Sequence, residues 1–208
     1  MVLKNPSLLY YHSMATNTDS ILFRKISELQ TQYYSGTKKN RFFKTQQKND
    51  CAASIAQQVR LPDLLKHTIY VIQGTNQVYF DYTVFKTYAN PNLFEPIIDY
   101  FIQLVEYCIA TYGCYEMHVN WLSYSISAHE RFKGIYNIHQ QKCIASPYSI
   151  SDSISTLHVY NVPTVIDTLS SIIRPLIDPT IVSKVIMHKK GESDHLIQEL
   201  LHIGDKTL

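Results

Sequence analysis

Apolar and polar positions change period several times along this chain, and each change marks an element. Ile21, Leu22, Ile26 and Leu29 share one face of a helix predicted from a cap at Asp19 to about Tyr34, ended by Ser35-Gly36. Residues 37–50 are polar and basic with no apolar period, which predicts a loop or domain junction. Helices are predicted over 51–60 and, shorter, after Pro62-Asp63. Ile69–Ile72 and Val78–Tyr82 read as strands, separated by the turn signal Gly74-Thr-Asn76. Pro96 opens a helix that Gly113 closes after Tyr112, apolar round most of its circumference and therefore central or beside a cavity. Tyr115–Trp121 alternates with period two: Met117, Val119 and Trp121 lie on one face, His118 and Asn120 on the other. Ser127 to about Gln141 reads as helix, Pro147–Ser155 as a Ser-rich connection, and Ser193–His202 as a closing amphipathic helix.

The most informative stretch runs from Leu157 to His188. Leu157–Tyr160 is β-rich and is punctuated by Asn161 and Pro163. Val165, Ile166, Leu169, Ile172 and Ile173 then form one apolar helical stripe, opposed by Asp167, Thr168, Ser171 and Arg174. Pro175 ends that helix, Asp178-Pro179 supplies a cap and first residue for another, and Val185-Ile-Met187 reads as a buried strand. A strand, a helix and a second strand imply a parallel, right-handed crossover. Alternating strands and helices predict an α/β fold with a mixed, mainly parallel sheet.

Composition adds little to this, but the placement of charge adds something. Of the 208 residues 45% are apolar and 17% charged, which suits a globular chain long enough to bury a core. Residues 1–66 hold ten Lys/Arg against four Asp/Glu, net +6, and the remaining 142 are net −4. The division predicts a basic, mostly helical N-terminal extension (1–66) on a main domain (67–208). Lys38, Lys39, Arg41, Lys44 and Lys48 are its candidate contacts with an anionic membrane surface or a protein partner. Nucleic acid is disfavoured, because no groove-reading helix or stacking sheet accompanies the charges. Cys51, Cys108, Cys114 and Cys143 have no metal or disulfide spacing and suit a reducing compartment. No signal-peptide pattern opens the chain and no run approaches 18 apolar residues. Together these predict a cytoplasmic protein that reaches membranes only peripherally.

Catalytic chemistry finds no foothold. The sequence has no nucleophile elbow, no phosphate-cradling glycine loop and no HExxH, so no catalytic residue and no cofactor is expected. His118 and His158 fall on strands that become neighbours if the sheet forms. Without a third ligand in view they predict polar core or cavity groups, and no metal site.

The ordered set from Leu157 onward resembles the CRAL-TRIO lipid-binding domain. Its features are an apolar strand, Asn-x-Pro, an amphipathic helix, basic-Pro-Leu, x-Asp-Pro and Val-Ser-Lys before a second strand. The pattern is most similar to phosphatidylinositol/phosphatidylcholine transfer proteins of the secretory pathway. Weaker resemblance extends from about Val78 to about Gly204. The resemblance implies an apolar pocket floored by the sheet and closed by a gate over roughly 163–183. Val165, Leu169 and Ile173 then face the ligand, with His118 as a polar group of the site. It also implies Lys184 as a cation for a headgroup phosphate and Asp152 as an acceptor for headgroup hydroxyls. The partner it implies is a phospholipid or another small hydrophobic molecule. An alternative is a protein-interaction or scaffold module that kept the fold without the ligand. The sequence departs from the family in lacking its N-terminal motif, its acidic strand end (Asn120 and Ser123 stand there) and its C-terminal Gly-Gly.

Overall fold

Five strands form one mixed sheet in the order β1-β2-β3-β4-β5. They are β1 (Ile69–Val71), β2 (Gln77–Asp81), β3 (Tyr115–Asn120), β4 (Ile154–Val162) and β5 (Val185–Lys189). The computed structural model describes residues 17–37 and 42–203. Only β1 and β2 are antiparallel, joined by a turn in which Gly74 has φ 73°. The next three pairings are parallel, each reached by a helical crossover. Period-two alternation then assigns each strand two roles: Val78, Phe80, Met117, Val119 and Leu157 lie on one face, and Tyr79, His118, His158 and Tyr160 on the other.

Helices cover both faces. Helix α5 (Phe94–Tyr112) packs on the first face and buries Ile97, Ile98, Ile102, Val105 and Cys108; Gly113 ends it in the left-handed conformation, φ 80°, that favours glycine. Helices α6 (Ile126–Phe132) and α7 (Gly134–Ala145) follow β3, and α7 packs on α5. The short α8 (Ile150–Ser153) leads into β4, and α9 (Ile166–Ile173), one 3-10 turn and α10 (Pro179–Val182) carry the chain from β4 to β5. Helix α11 (Lys190–Ile203) closes the second face, where Leu200 meets Tyr70, Ile72, Tyr79 and Tyr160. N-terminal to the sheet, α1 (Asn17–Gly36), α2 (Lys44–Gln58) and α3 (Leu61–Thr68) send Leu22, Ile26, Cys51, Ile55, Val59 and Leu64 into the main core. Among the described residues no helix is long and apolar enough to cross a membrane.

Several local expectations change. The strand at Val185-Ile-Met187 forms but is not buried: as the edge strand β5 it leaves Ile186 and Met187 45% and 47% exposed. The first helix starts at Asn17, so Asp19 lies inside it and is not its cap. Residues 44–50, read as loop, form the first two turns of α2. A polar turn carries no apolar period, and here it is supported by a Gln46 Nε2–Asp50 Oδ1 hydrogen bond of 2.8 Å at helical spacing. Tyr82 is not strand: Asp81 accepts from the Thr83 N–H at 2.7 Å and caps a further helix, α4 (Tyr82–Tyr88). The helix read across 127–141 is divided at Lys133, next to Gly134, a weak helix former.

Candidate functional site

Between the first sheet face and the helices over it lies a cavity of about 780 Å³, within the size range of small-molecule sites. Phe80, Met117, Val119 and Leu157 floor it, Ile98 and Phe101 of α5 wall it, and Ile173, Ile177 and Ile181 come from the segment between β4 and β5. Its lining is mostly apolar because the strands turn alternate residues this way and α5 is apolar nearly all round. Gln140, Ile144, Ser149, Asp152, Asp178 and Pro179 also line it and are exposed, so they mark where it opens. Asp178 caps α10, accepting from Thr180 N at 2.9 Å and from Thr180 Oγ1 at 2.8 Å, and these bonds hold its carboxyl below the usual range. Two carboxylates therefore stand at the mouth.

Polar groups inside the cavity are neutral. Burial pushes the Cys143 thiol up to about 11 and lowers His139, so the Sγ···Nε2 contact of 3.4 Å joins a thiol and an imidazole, not a thiolate and an imidazolium. Tyr124 is raised by burial and by Tyr136, whose hydroxyl is 3.4 Å from its own.

The expected ligand residues separate into groups. Asp152 and Ile173 line the cavity. Leu169 is fully buried in the core beside it, and Val165 is exposed; neither reaches the lining. Lys184 lies outside the lining too, its Nζ donating to the backbone carbonyls of Asp152 at 3.1 Å and Ile154 at 2.7 Å. His118 faces away from the cavity, onto the α11 side of the sheet. Of the basic run, Lys44 and Lys48 are exposed on α2, whereas Lys38, Lys39 and Arg41 lie outside the described residues.

On that second face the structure assembles a group that spacing alone does not reveal. His118, His158 and His188 stack with Tyr160; the first two rings have centroids 4.8 Å apart and planes within 2°. Glu116 Oε1 is 2.8 Å from His118 Nε2 and 3.3 Å from His158 Nε2. Burial, then the neighbouring His158 and His188, push His118 down to about 3. His158 is also lowered, chiefly by burial, with Glu116 opposing. The neighbouring strands of His118 and His158 were legible in the sequence; the part played by Glu116 and His188 was not. Parallel register brings His158 opposite His118.

Residues 148–202 match the CRAL/TRIO domain model. Over this segment the chain is similar to a CRAL/TRIO domain. This is a lipid-binding family, and the matched segment runs from just before α8 through β4, α9, α10 and β5 into α11. It therefore supplies the exposed Asp152 and Asp178 and the Ile173–Ile181 wall, while the rest of the cavity floor comes from strands before it. Among solved structures, a crystal structure of Sfh5 is similar at 13% identity, with 84% of this chain and 69% of that chain covered and a TM-score of 0.49. A search of the curated proteins finds no match to this chain.

Proposed function

We propose that the chain binds a lipid in the cavity between the sheet and α5, as a carrier or transfer protein, with segment 163–183 as the element that opens and closes. The observation that carries this is a cavity of about 780 Å³ whose wall includes part of the CRAL/TRIO segment. Each buried methylene contributes about 0.8 kcal/mol, so a sixteen-carbon chain contributes roughly 12 kcal/mol relative to water. Leaving a bilayer for this cavity exchanges one apolar medium for another, with little net gain. Exchange therefore requires a wall that yields at a membrane and closes in water. The 163–183 segment suits that role, being joined to the sheet at both ends and built of two short helices and a 3-10 turn. Asp152 and Asp178 at the mouth favour a polar end that donates hydrogen bonds, hydroxyl or ammonium, over a bare phosphate facing them.

Organic extraction of the purified protein followed by mass spectrometry tests this reading. The expected result is a co-purifying lipid, lost in Val119→Trp, which fills the cavity floor, while circular dichroism stays unchanged. Recovery of equal lipid from Val119→Trp would remove this cavity as the site. A protein that binds no lipid when purified or when offered labelled phospholipid vesicles would leave the interaction-module reading. The basic run at Lys38, Lys39, Arg41, Lys44 and Lys48 would dock the protein on acidic headgroups while the cavity exchanges its content.

A further inference from the structure

The group on the opposite sheet face has the composition and the spacing of a metal site. Glu116, His118 and His158 each offer one ligand atom, and these atoms all lie within 4.8 Å of one another. Zinc bonds of about 2.0–2.1 Å in tetrahedral geometry place ligand atoms roughly 3.3 Å apart. The Glu116 oxygen already stands at 2.8 and 3.3 Å from the two Nε2 atoms, and binding an ion requires the two imidazoles to converge by roughly 1.5 Å and to tilt out of their parallel stack so that both lone pairs meet it.

A second observation points the same way. His118 is 3% exposed, and its Nε2 makes no hydrogen bond although Glu116 Oε1 lies 2.8 Å away. A buried ring nitrogen left unpaired costs free energy that an ion would recover. The far nitrogens, by contrast, are both held: His118 Nδ1 is 2.9 Å from the Tyr160 hydroxyl and His158 Nδ1 is 2.9 Å from His188 Nε2. Outer partners of this kind orient metal-bound imidazoles. Glu116 and His158 keep partial exposure, which gives an ion a way in and leaves a fourth position for water.

We propose that Glu116, His118 and His158 bind one divalent transition-metal ion, with zinc the best match to two imidazoles and a carboxylate. The ion joins β3 to β4 on the face turned away from the cavity, so it does not depend on lipid binding. Tyr160 and His188 act as positioning residues that hold the two rings.

Equilibrium dialysis of the untagged, chelator-treated full chain against zinc tests this, with cobalt(II) absorption reporting coordination geometry. One equivalent is expected to bind saturably, with cobalt giving the intense visible bands of a four-coordinate site. Glu116→Gln and His158→Gln should each weaken zinc binding at least tenfold. Tyr160→Phe should weaken it about 10- to 100-fold, and His195→Gln, at the exposed His195–Glu199 pair, should leave it unchanged. Absence of saturable one-equivalent uptake, or uptake retained in both ligand variants, would overturn the site. Should those variants fail to fold, ring nitrogen resonances of the unaltered chain decide. Zinc must shift His118 and His158, and shifts confined to other histidines would overturn the proposal.

Discussion

Lys184 shows how one side chain can be read for binding and found holding backbone. Its ammonium satisfies the carbonyls of Asp152 and Ile154, tying the α8–β4 entry to the start of β5. Lys184→Met keeps the apolar stem and removes both charge-assisted bonds, so it should lower unfolding free energy by about 1–2 kcal/mol in urea titration. The same variant should change lipid content less than Val119→Trp does. Lipid loss with stability intact would instead make Lys184 a headgroup ligand. Asn161 is the second instructive residue. It takes φ 54° within the irregular end of β4, a conformation asparagine tolerates better than most residues, and its Nδ2 donates to Asn120 Oδ1 at 3.0 Å. The Asn of Asn-x-Pro therefore has a local physical reason. Asn161→Ala loses the bond and strains the backbone, and should cost about 1–3 kcal/mol, measured by the same titration.

At the scale of elements, the basic run and the segment between β4 and β5 carry the membrane proposal. Lys44 and Lys48 stand on the first turns of α2, just after Phe42 and Phe43, which are 93% and 67% exposed. Basic groups near an anionic surface contribute about 1 kcal/mol each, falling with salt. The protein should sediment with vesicles containing acidic lipid more than with neutral ones at low salt, and reversing Lys38, Lys44 and Lys48 to Glu should abolish the difference. Equal sedimentation with both vesicle types, or indifference to salt, would assign the run to solvent alone. Arg131 of α6 holds this region in place, donating to Asn49 Oδ1 and to the backbone carbonyls of Lys48, Lys86 and Ala89. The charge reversals leave those carbonyls intact.

For the whole molecule, the buried histidines set an acid limit. His118, His129, His139 and His158 are all held below their ordinary value of 6.5, with burial the largest cause in each. Below that value the unfolded chain binds protons that the folded chain refuses, so stability falls as pH falls and is fully present above it. Asp178 and Glu130 have depressed carboxyls and contribute their own loss at lower pH, below about 4.5. With a chelator present to exclude metal, the urea midpoint should be flat from pH 8.5 to 7.5 and decline between pH 7 and 5. A midpoint unchanged down to pH 5 would show that these imidazoles are not buried neutral in the fold.

Much of this was written locally. Period two in Tyr115–Trp121, the glycine after Tyr112 and the Asp178-Pro179 start each encode their element through nearest-neighbour chemistry, and each stands in the structure. The α/β class followed from the same local signals, because strand, helix and strand in that order leave few ways to pack; the CRAL/TRIO resemblance rested on the ordered motifs from Leu157 onward. Polar turns of helix, as at 44–50, left no trace, since periodicity registers only buried faces. Which residues meet was decided by tertiary structure. Parallel register set His158 opposite His118 and beside Glu116, and the pleat turned that group away from the cavity. Lys184 met two carbonyls because the α8–β4 junction lies beside the start of β5, and Ile177 and Ile181 reached the cavity through the path of the chain past Pro175. Sequence specifies which face a residue takes within its own element; what stands across from that face depends on chain separated by tens of residues, and only folding brings it there.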